Sequence, residues 1–228
     1  REDIASASKL MPYARRVFLA DGNALCLPTP RLEEILSLLS ASFPSLERVG
    51  IYANGADING KSERELKGLA RLGLGIIYLG LESGDDEVLR RVRKKDNSEE
   101  MVEAALKARE CGIAVSVIVL LGLGGKEGSR RHALRSAQAV SRMNPDFLSA
   151  LTLMVVPGTP LHREYESGRF TLPSQKELLD ELALFVSECE LDGCVFRSNH
   201  ASNYLALRVV FNREREGVIA AINEAERG

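Results

Sequence analysis

The 228-residue sequence predicts an α/β fold built on a mostly parallel sheet. Three observations carry that expectation. Short apolar runs alternate with amphipathic helical runs along most of the chain, the pattern of successive βα units. Each apolar run ends in Gly, Asn, Asp or Glu rather than in further apolar residues. One of them, Ile76-Ile77-Tyr78-Leu79, passes into Gly80-Leu81-Glu82-Ser83-Gly84-Asp85 and then into the helix-like Asp86-Glu87-Val88-Leu89-Arg90-Arg91-Val92. That junction delivers a carboxylate to the C-terminal end of a buried strand, where parallel α/β folds place their ligands. Its glycines would let a ligand approach the backbone closely. A helix N-terminus capped by Ser83 or Asp85 accounts for the same residues.

In chain order, a first helix covers Asp3 to Pro12, and Val17 to Ala20 is a strand ending in Asp21-Gly22-Asn23. Pro30 to Ser42 is a helix because Leu32, Ile35, Leu36 and Leu39 recur on one face. Arg48 to Ala53 is a strand ending in Asn54-Gly55. Ser62 caps a helix running to Leu72, with Glu65 completing a capping box and Gly73 closing it. After the strand Gly75 to Leu81 and its acidic turn comes a helix from Asn97 to Cys111. Ala114 to Leu121 is a continuously apolar strand ending in Gly122-Leu123-Gly124-Gly125. Lys126 to Met143 is a polar helix, and Phe147 to Val156 a strand ending in Pro157-Gly158-Thr159-Pro160. In a right-handed succession these strand ends share one rim and describe a site. Beyond Pro160 the pattern weakens to a helix over Gln175 to Glu190, a short strand Cys194 to Arg197, a polar loop Ser198 to Tyr204 and a charged helix Asn212 to Glu226.

Composition narrows the classes. A formal net charge of −2 gives no case for non-specific nucleic-acid binding. No apolar run reaches the roughly 18 residues a membrane helix needs. Four cysteines (Cys26, Cys111, Cys189, Cys194) are too few for a disulfide scaffold and point to reduced thiols and a cytoplasmic setting. Cys26 reads as a small buried hydrophobe, and His132, on a charged helix, as solvent-facing. No secretory leader stands out. The chain opens at Arg1 already inside helix-like sequence, which reads as a piece of a longer polypeptide.

The strand-end residues resemble those of the radical S-adenosylmethionine (radical SAM) enzymes over roughly Asp3 to Leu161. The resemblance rests on Asp21-Gly22-Asn23-Ala24-Leu25, Asn54-Gly55, Gly80-Leu81-Glu82-Ser83-Gly84 with Val88-Leu89-Arg90-Arg91-Val92-Arg93-Lys94, Ile118-Val119-Leu120-Leu121-Gly122-Leu123-Gly124, and Val156-Pro157-Gly158-Thr159-Pro160-Leu161. It implies a partial (β/α)6 TIM-like barrel over 1–161 and a small C-terminal helical extension over 162–228, packed on the barrel and facing substrate. It also implies S-adenosylmethionine and a [4Fe–4S] cluster as cofactors. By position, Asp21, Gly22 and Asn23 would hold the methionyl amino group, Asn54 would hydrogen-bond the cofactor, and Glu82 would take the ribose hydroxyls. Lys94 would pair with the methionyl carboxylate, and Ile118, Leu120, Gly122 and Val156 would surround the adenine. Asp-Gly-Asn and Asn-Gly turns, a solvated basic run and ordinary barrel core are the alternative accounts of several of these residues.

The sequence departs from the family at one point. The Cys-x3-Cys-x2-Cys loop that ligates the cluster does not occur, so its ligands are expected before Arg1. With that segment supplied, the implied reaction is reductive cleavage of S-adenosylmethionine to a 5′-deoxyadenosyl radical that abstracts hydrogen from an unknown substrate, with an electron donor as partner. A tRNA modification, a tetrapyrrole oxidation and a peptide modification all stay open as substrates. His162 and His200 are candidates for facing it. The alternatives are a TIM-barrel lyase or aldolase, and a non-catalytic barrel that binds a nucleoside or a partner.

Overall fold

The computed structural model describes residues 1–211 and 215–227. The first elements are α1 (Glu2–Leu10), β1 (Arg16–Leu19), a single 3-10 turn (Ala24–Cys26), α2 (Thr29–Ser42), β2 (Arg48–Ala53), α3 (Gly55–Gly60) and α4 (Glu63–Arg71). The middle of the chain forms β3 (Leu74–Glu82), α5 (Asp86–Arg91), α6 (Ser98–Glu110), β4 (Ala114–Leu121) and α7 (Gly125–Met143). Then follow β5 (Phe147–Thr152), α8 (Pro160–Glu166), α9 (Gln175–Glu188), β6 (Val195–Arg197), β7 (Arg208–Val210) and α10 (Arg215–Arg227). The start of the predicted terminal helix, Asn212 to Glu214, lies outside the described residues. The strands form one mostly parallel, seven-stranded sheet in chain order, as expected of successive right-handed crossovers.

The chain divides into two compact units, residues 1–79 with 103–116, and residues 80–102 with 117–228. In the first, β1, β2 and β3 pair in parallel, with Leu19 opposite Ile51 and Ile51 opposite Ile77. α2 turns Leu32, Leu36 and Leu39 inward, and α4 adds Leu66 and Leu69. Each such burial contributes on the order of 1.5–3 kcal/mol. The Ser62–Glu65 capping box starts α4 as its sequence predicts. In the second unit β5 and β6 pair in parallel and β7 returns antiparallel to β6. Its core holds Val117, Val119, Leu121, Leu148, Phe185, Phe196 and Phe211. α9 packs against α7 and against α10.

Three expectations are corrected. His132 is fully buried. The charged residues of α7 occupy other faces, while His132, Ser136, Val140 and Met143 recur at helical spacing along the buried stripe. Cys26 is exposed, because its neighbour Leu25 takes the buried position of the short turn. β5 ends at Thr152 rather than Val156. Thr152 gives its N–H to Ser202 Oγ (3.1 Å) and its hydroxyl to Asn203 Oδ1 (2.9 Å). After a last backbone bond from Leu153 N–H to the Leu121 carbonyl (2.9 Å), the chain turns outward and exposes Met154 and Val156.

Candidate functional site

In β3 the side chains alternate, so Leu79 and Leu81 enter the core while Tyr78, Gly80 and Glu82 share the other face. Glu82 closes the strand in the left-handed region (φ 63°), at the centre of a three-residue turn in which Ser83 N–H donates to the Leu81 carbonyl at 2.7 Å. Such a turn is rare for a non-glycine residue and stores strain. Gly80 makes room for it: a Cβ there would stand 2.2 Å from Glu82 Oε1. This glycine serves the protein's own carboxylate.

Lys94 is brought to the same place by the end of α5. Arg93, at φ 59°, turns the chain back, Arg93 N–H bonds the Arg90 carbonyl at 3.1 Å, and Lys94 N–H bonds the Leu89 carbonyl at 2.9 Å. This is a Schellman cap with arginine in the usual glycine position. Lys94 Nζ donates to the Gly80 carbonyl at 2.6 Å and lies 3.8 Å from Glu82 Oε1. Burial raises the Glu82 pKa, and Lys94 partly offsets the rise.

The rest of the acidic turn is anchorage. Gly84 sits against the backbone of α7, where a Cβ would meet the Arg135 carbonyl oxygen at 2.2 Å, and its N–H donates to Ser136 Oγ at 2.9 Å. Asp85 caps α5 by accepting from Glu87 N–H at 3.0 Å and pairs with Arg131. Burial opposes its ionisation, yet Arg131 and the Glu87 N–H hold its pKa low.

Beside Glu82 lies a cavity of about 340 Å³, within the usual range for small-molecule sites. Its walls include Glu82, Leu120, Leu123, Met154, Val156 and Thr159. Three predicted residues thus meet there: Glu82, Leu120 and Val156. Ile118 is half-buried on the same strand as Leu120 but does not line the cavity. Gly122, at φ 82°, stands between the wall residues Leu120 and Leu123. Sequence reading passed over α8. Thr159 Oγ1 accepts from His162 N–H at 3.2 Å, with Pro160 at the first helical position, so Thr-Pro was a helix start.

In the first unit, Asp21 also adopts a positive φ (111°), with its carboxylate accepting from Gly22 N–H at 2.9 Å. Asn23 Nδ2 donates to Asp57 Oδ2 of α3 at 2.5 Å, so the loops after β1 and β2 are joined. Asp57 can only accept, which orients the amide and leaves Asn23 Oδ1 buried without a partner. A buried, unsatisfied acceptor suits an ammonium donor. Asn54, exposed, precedes α3 without capping it through its side chain.

His200 is exposed and bonds Ser202 of its own loop, Nδ1 to Oγ at 2.8 Å. Ser198 and Asn203 are taken up in closing the β6–β7 hairpin and tying it to Ala150. The polar groups of this loop do structural work. His162 is half-buried, 3.4 Å from Glu166.

Residues 2–137 match the Radical SAM superfamily profile. The chain belongs to the radical SAM superfamily. It is 21% identical over 183 residues to the heme chaperone HemW of Bacillus subtilis (strain 168), covering 80% of this chain and 48% of that protein. The chain therefore spans about half the length of that relative. Its fold is similar to that of the archaeal Methanocaldococcus infernus Elp3 with an N-terminal deletion, with a TM-score of 0.68 and 13% identity over 97% of this chain and 57% of that one. It is also similar to coproporphyrinogen III oxidase (HemN) from Escherichia coli, a radical SAM enzyme, with a TM-score of 0.66 and 19% identity over 82% of this chain and 43% of that one.

Members of the superfamily bind S-adenosylmethionine and a [4Fe–4S] cluster. The residues present fit the first of these, given the Glu82 carboxylate beside a largely apolar cavity. They do not fit the cluster. Among the described residues no three His, Cys, Asp or Glu side chains converge to hold a metal, and the sequence has no Cys-x3-Cys-x2-Cys. None of the four cysteines forms a disulfide, and no described helix is long and apolar enough to cross a membrane.

Proposed function

We propose that this chain is the S-adenosylmethionine-binding portion of a radical SAM enzyme. One observation carries the reading: a strained, half-buried carboxylate, Glu82, at a strand end beside a largely apolar cavity walled by Leu120 and Val156. That arrangement suits an adenosine, with hydroxyls for the carboxylate and a flat base for the apolar walls. Glu82 accepts from the ribose hydroxyls, and Leu120, Gly122, Val156 and the neighbouring Ile118 form the adenine environment. Lys94 favours the ionised form of Glu82 against burial and has donors to spare for the methionyl carboxylate. By the family resemblance Asp21, Gly22 and Asn23 are expected at the methionyl ammonium and Asn54 at a further hydrogen bond; within the first unit, the buried acceptor Asn23 Oδ1 supports the former. When bound, S-adenosylmethionine supplies the 5′-deoxyadenosyl group whose radical form abstracts hydrogen from a substrate. The ligands of the cluster are not among these 228 residues, and an electron donor and the substrate are further partners. The disulfide-free cysteines support a reducing, cytoplasmic setting.

Calorimetry with S-adenosylhomocysteine, which cannot be cleaved, tests the reading. Glu82→Ala should weaken binding by at least about tenfold, the loss of one charge-assisted hydrogen bond. Unchanged affinity in that variant would remove Glu82 from the site and the proposal with it.

A further inference from the structure

Glu181 of α9 is buried to 2% exposure among apolar neighbours and takes no part in the site as described. It accepts the Gly122 N–H at 2.7 Å and the Ser129 hydroxyl of α7. One turn earlier on α9, Leu178 lies so close to Gly122 that a Cβ there would stand 2.9 Å from Leu178 Cδ2. α9 therefore holds the Gly122 turn twice, by a hydrogen bond and by contact. The turn is the hinge between two cavity walls, Leu120 and Leu123.

The same carboxylate reaches toward the Glu82 loop. Ser83 Oγ accepts from Asp85 N–H at 3.0 Å, which leaves its own proton to donate to His132 Nδ1 at 2.7 Å. His132 then carries its one ring proton on Nε2, 3.6 Å from Glu181 Oε1 and beyond hydrogen-bond reach of it. Gly122 is thus fastened to Glu181, and the His132 that holds Ser83, the neighbour of Glu82, stands beside the same carboxylate.

We propose that Glu181 is a positioning residue of the nucleoside cavity, fixing the Gly122 turn from α9 between the walls Leu120 and Leu123. The inference rests on the nucleoside reading above. It goes beyond that reading by giving α9, outside the residues predicted for the barrel, a part in cofactor binding.

Two variants test it on the full chain. Glu181→Gln keeps a carbonyl acceptor for Gly122, whereas Glu181→Leu keeps the volume and removes the acceptor. In Glu181→Leu the Gly122 amide should lose hydrogen-exchange protection, read by NMR on folded protein, and S-adenosylhomocysteine should bind about tenfold more weakly, one buried hydrogen bond's worth. Glu181→Gln should restore both. If Gly122 stays protected in Glu181→Leu, or if that variant binds as the parent does, the positioning role is overturned. Failure of the unsubstituted chain to bind S-adenosylhomocysteine would count against the nucleoside reading, and Gly122 protection alone would then decide the clamp.

Discussion

Glu82 is placed where protonation and ligand binding compete. Its backbone is strained, its side chain is largely withdrawn from water, and burial raises its pKa against the opposing pull of Lys94. A carboxylate accepts from two hydroxyls, whereas the protonated acid accepts less well and must donate. Affinity for S-adenosylhomocysteine should therefore be full above the Glu82 pKa and decline as pH falls through it, at a pH above the ordinary 4.5. Removing the lysine in Lys94→Met takes away the one influence that lowers this pKa, so the decline should move to higher pH. Titration calorimetry at a series of pH values checks both points. A common midpoint in parent and variant would show that the lysine does not tune the carboxylate.

At the scale of elements, the position of Lys94 depends on how α5 ends. Arg93 occupies a left-handed conformation that costs an L-residue roughly 1–2 kcal/mol and that glycine adopts freely. Arg93→Gly should therefore raise stability by about 1 kcal/mol in urea unfolding while leaving ligand affinity within about twofold, because the cap that aims Lys94 is kept. A loss of affinity would mean that the Arg93 side chain itself, which lines the cavity, contacts the ligand. Periodicity made most of these elements legible. β2 and β4 run over the predicted residues, and α2, α4 and α6 come within a residue or two of them, because their apolar spacing and caps are local signals. Glu82 was legible for the same reason, since a carboxylate closing an apolar run stands out. What stayed hidden depends on partners distant in sequence. His132 reads as polar among arginines until α7 is packed. The glycines of the acidic turn suggest a ligand until Gly84 is seen against the Arg135 backbone and Gly80 against Glu82 itself. Glu181 reads as one more charge on α9, because nothing local distinguishes a carboxylate facing Gly122 from one facing water.

For the molecule as a whole, His132 and Glu181 bind protons in opposite senses on folding. Burial lowers the His132 pKa from 6.5 to about 4, although the Leu120 carbonyl and Asp85 oppose it. Its stability contribution is complete above pH 6.5 and is lost as pH falls toward 4, since only the unfolded chain takes up the proton. Burial raises the Glu181 pKa from 4.5 to about 7, against the bonds from Ser129 and Gly122. That contribution is complete below pH 4.5 and is lost as pH rises toward 7, since only the unfolded chain releases the proton. Each shift corresponds to about 3 kcal/mol, and between pH 4.5 and 6.5 the two slopes cancel. The groups facing Glu181 are Ser129 and His132 of α7 and the Gly122 N–H. Nearby, Lys126 is paired with Glu177 and Arg131 with Asp85, and α10 buries Val218 and Ile222. Because each shift comes from burial rather than from the other member of the pair, single substitutions should unmask them separately. His132→Gln should lose stability as pH rises from 4.5 to 7, and Glu181→Gln should lose it as pH falls from 6.5 to 4. Urea unfolding midpoints at half-unit pH steps measure this. Curves for both variants parallel to that of the parent would mean that neither group is held in the ionisation state its surroundings dictate.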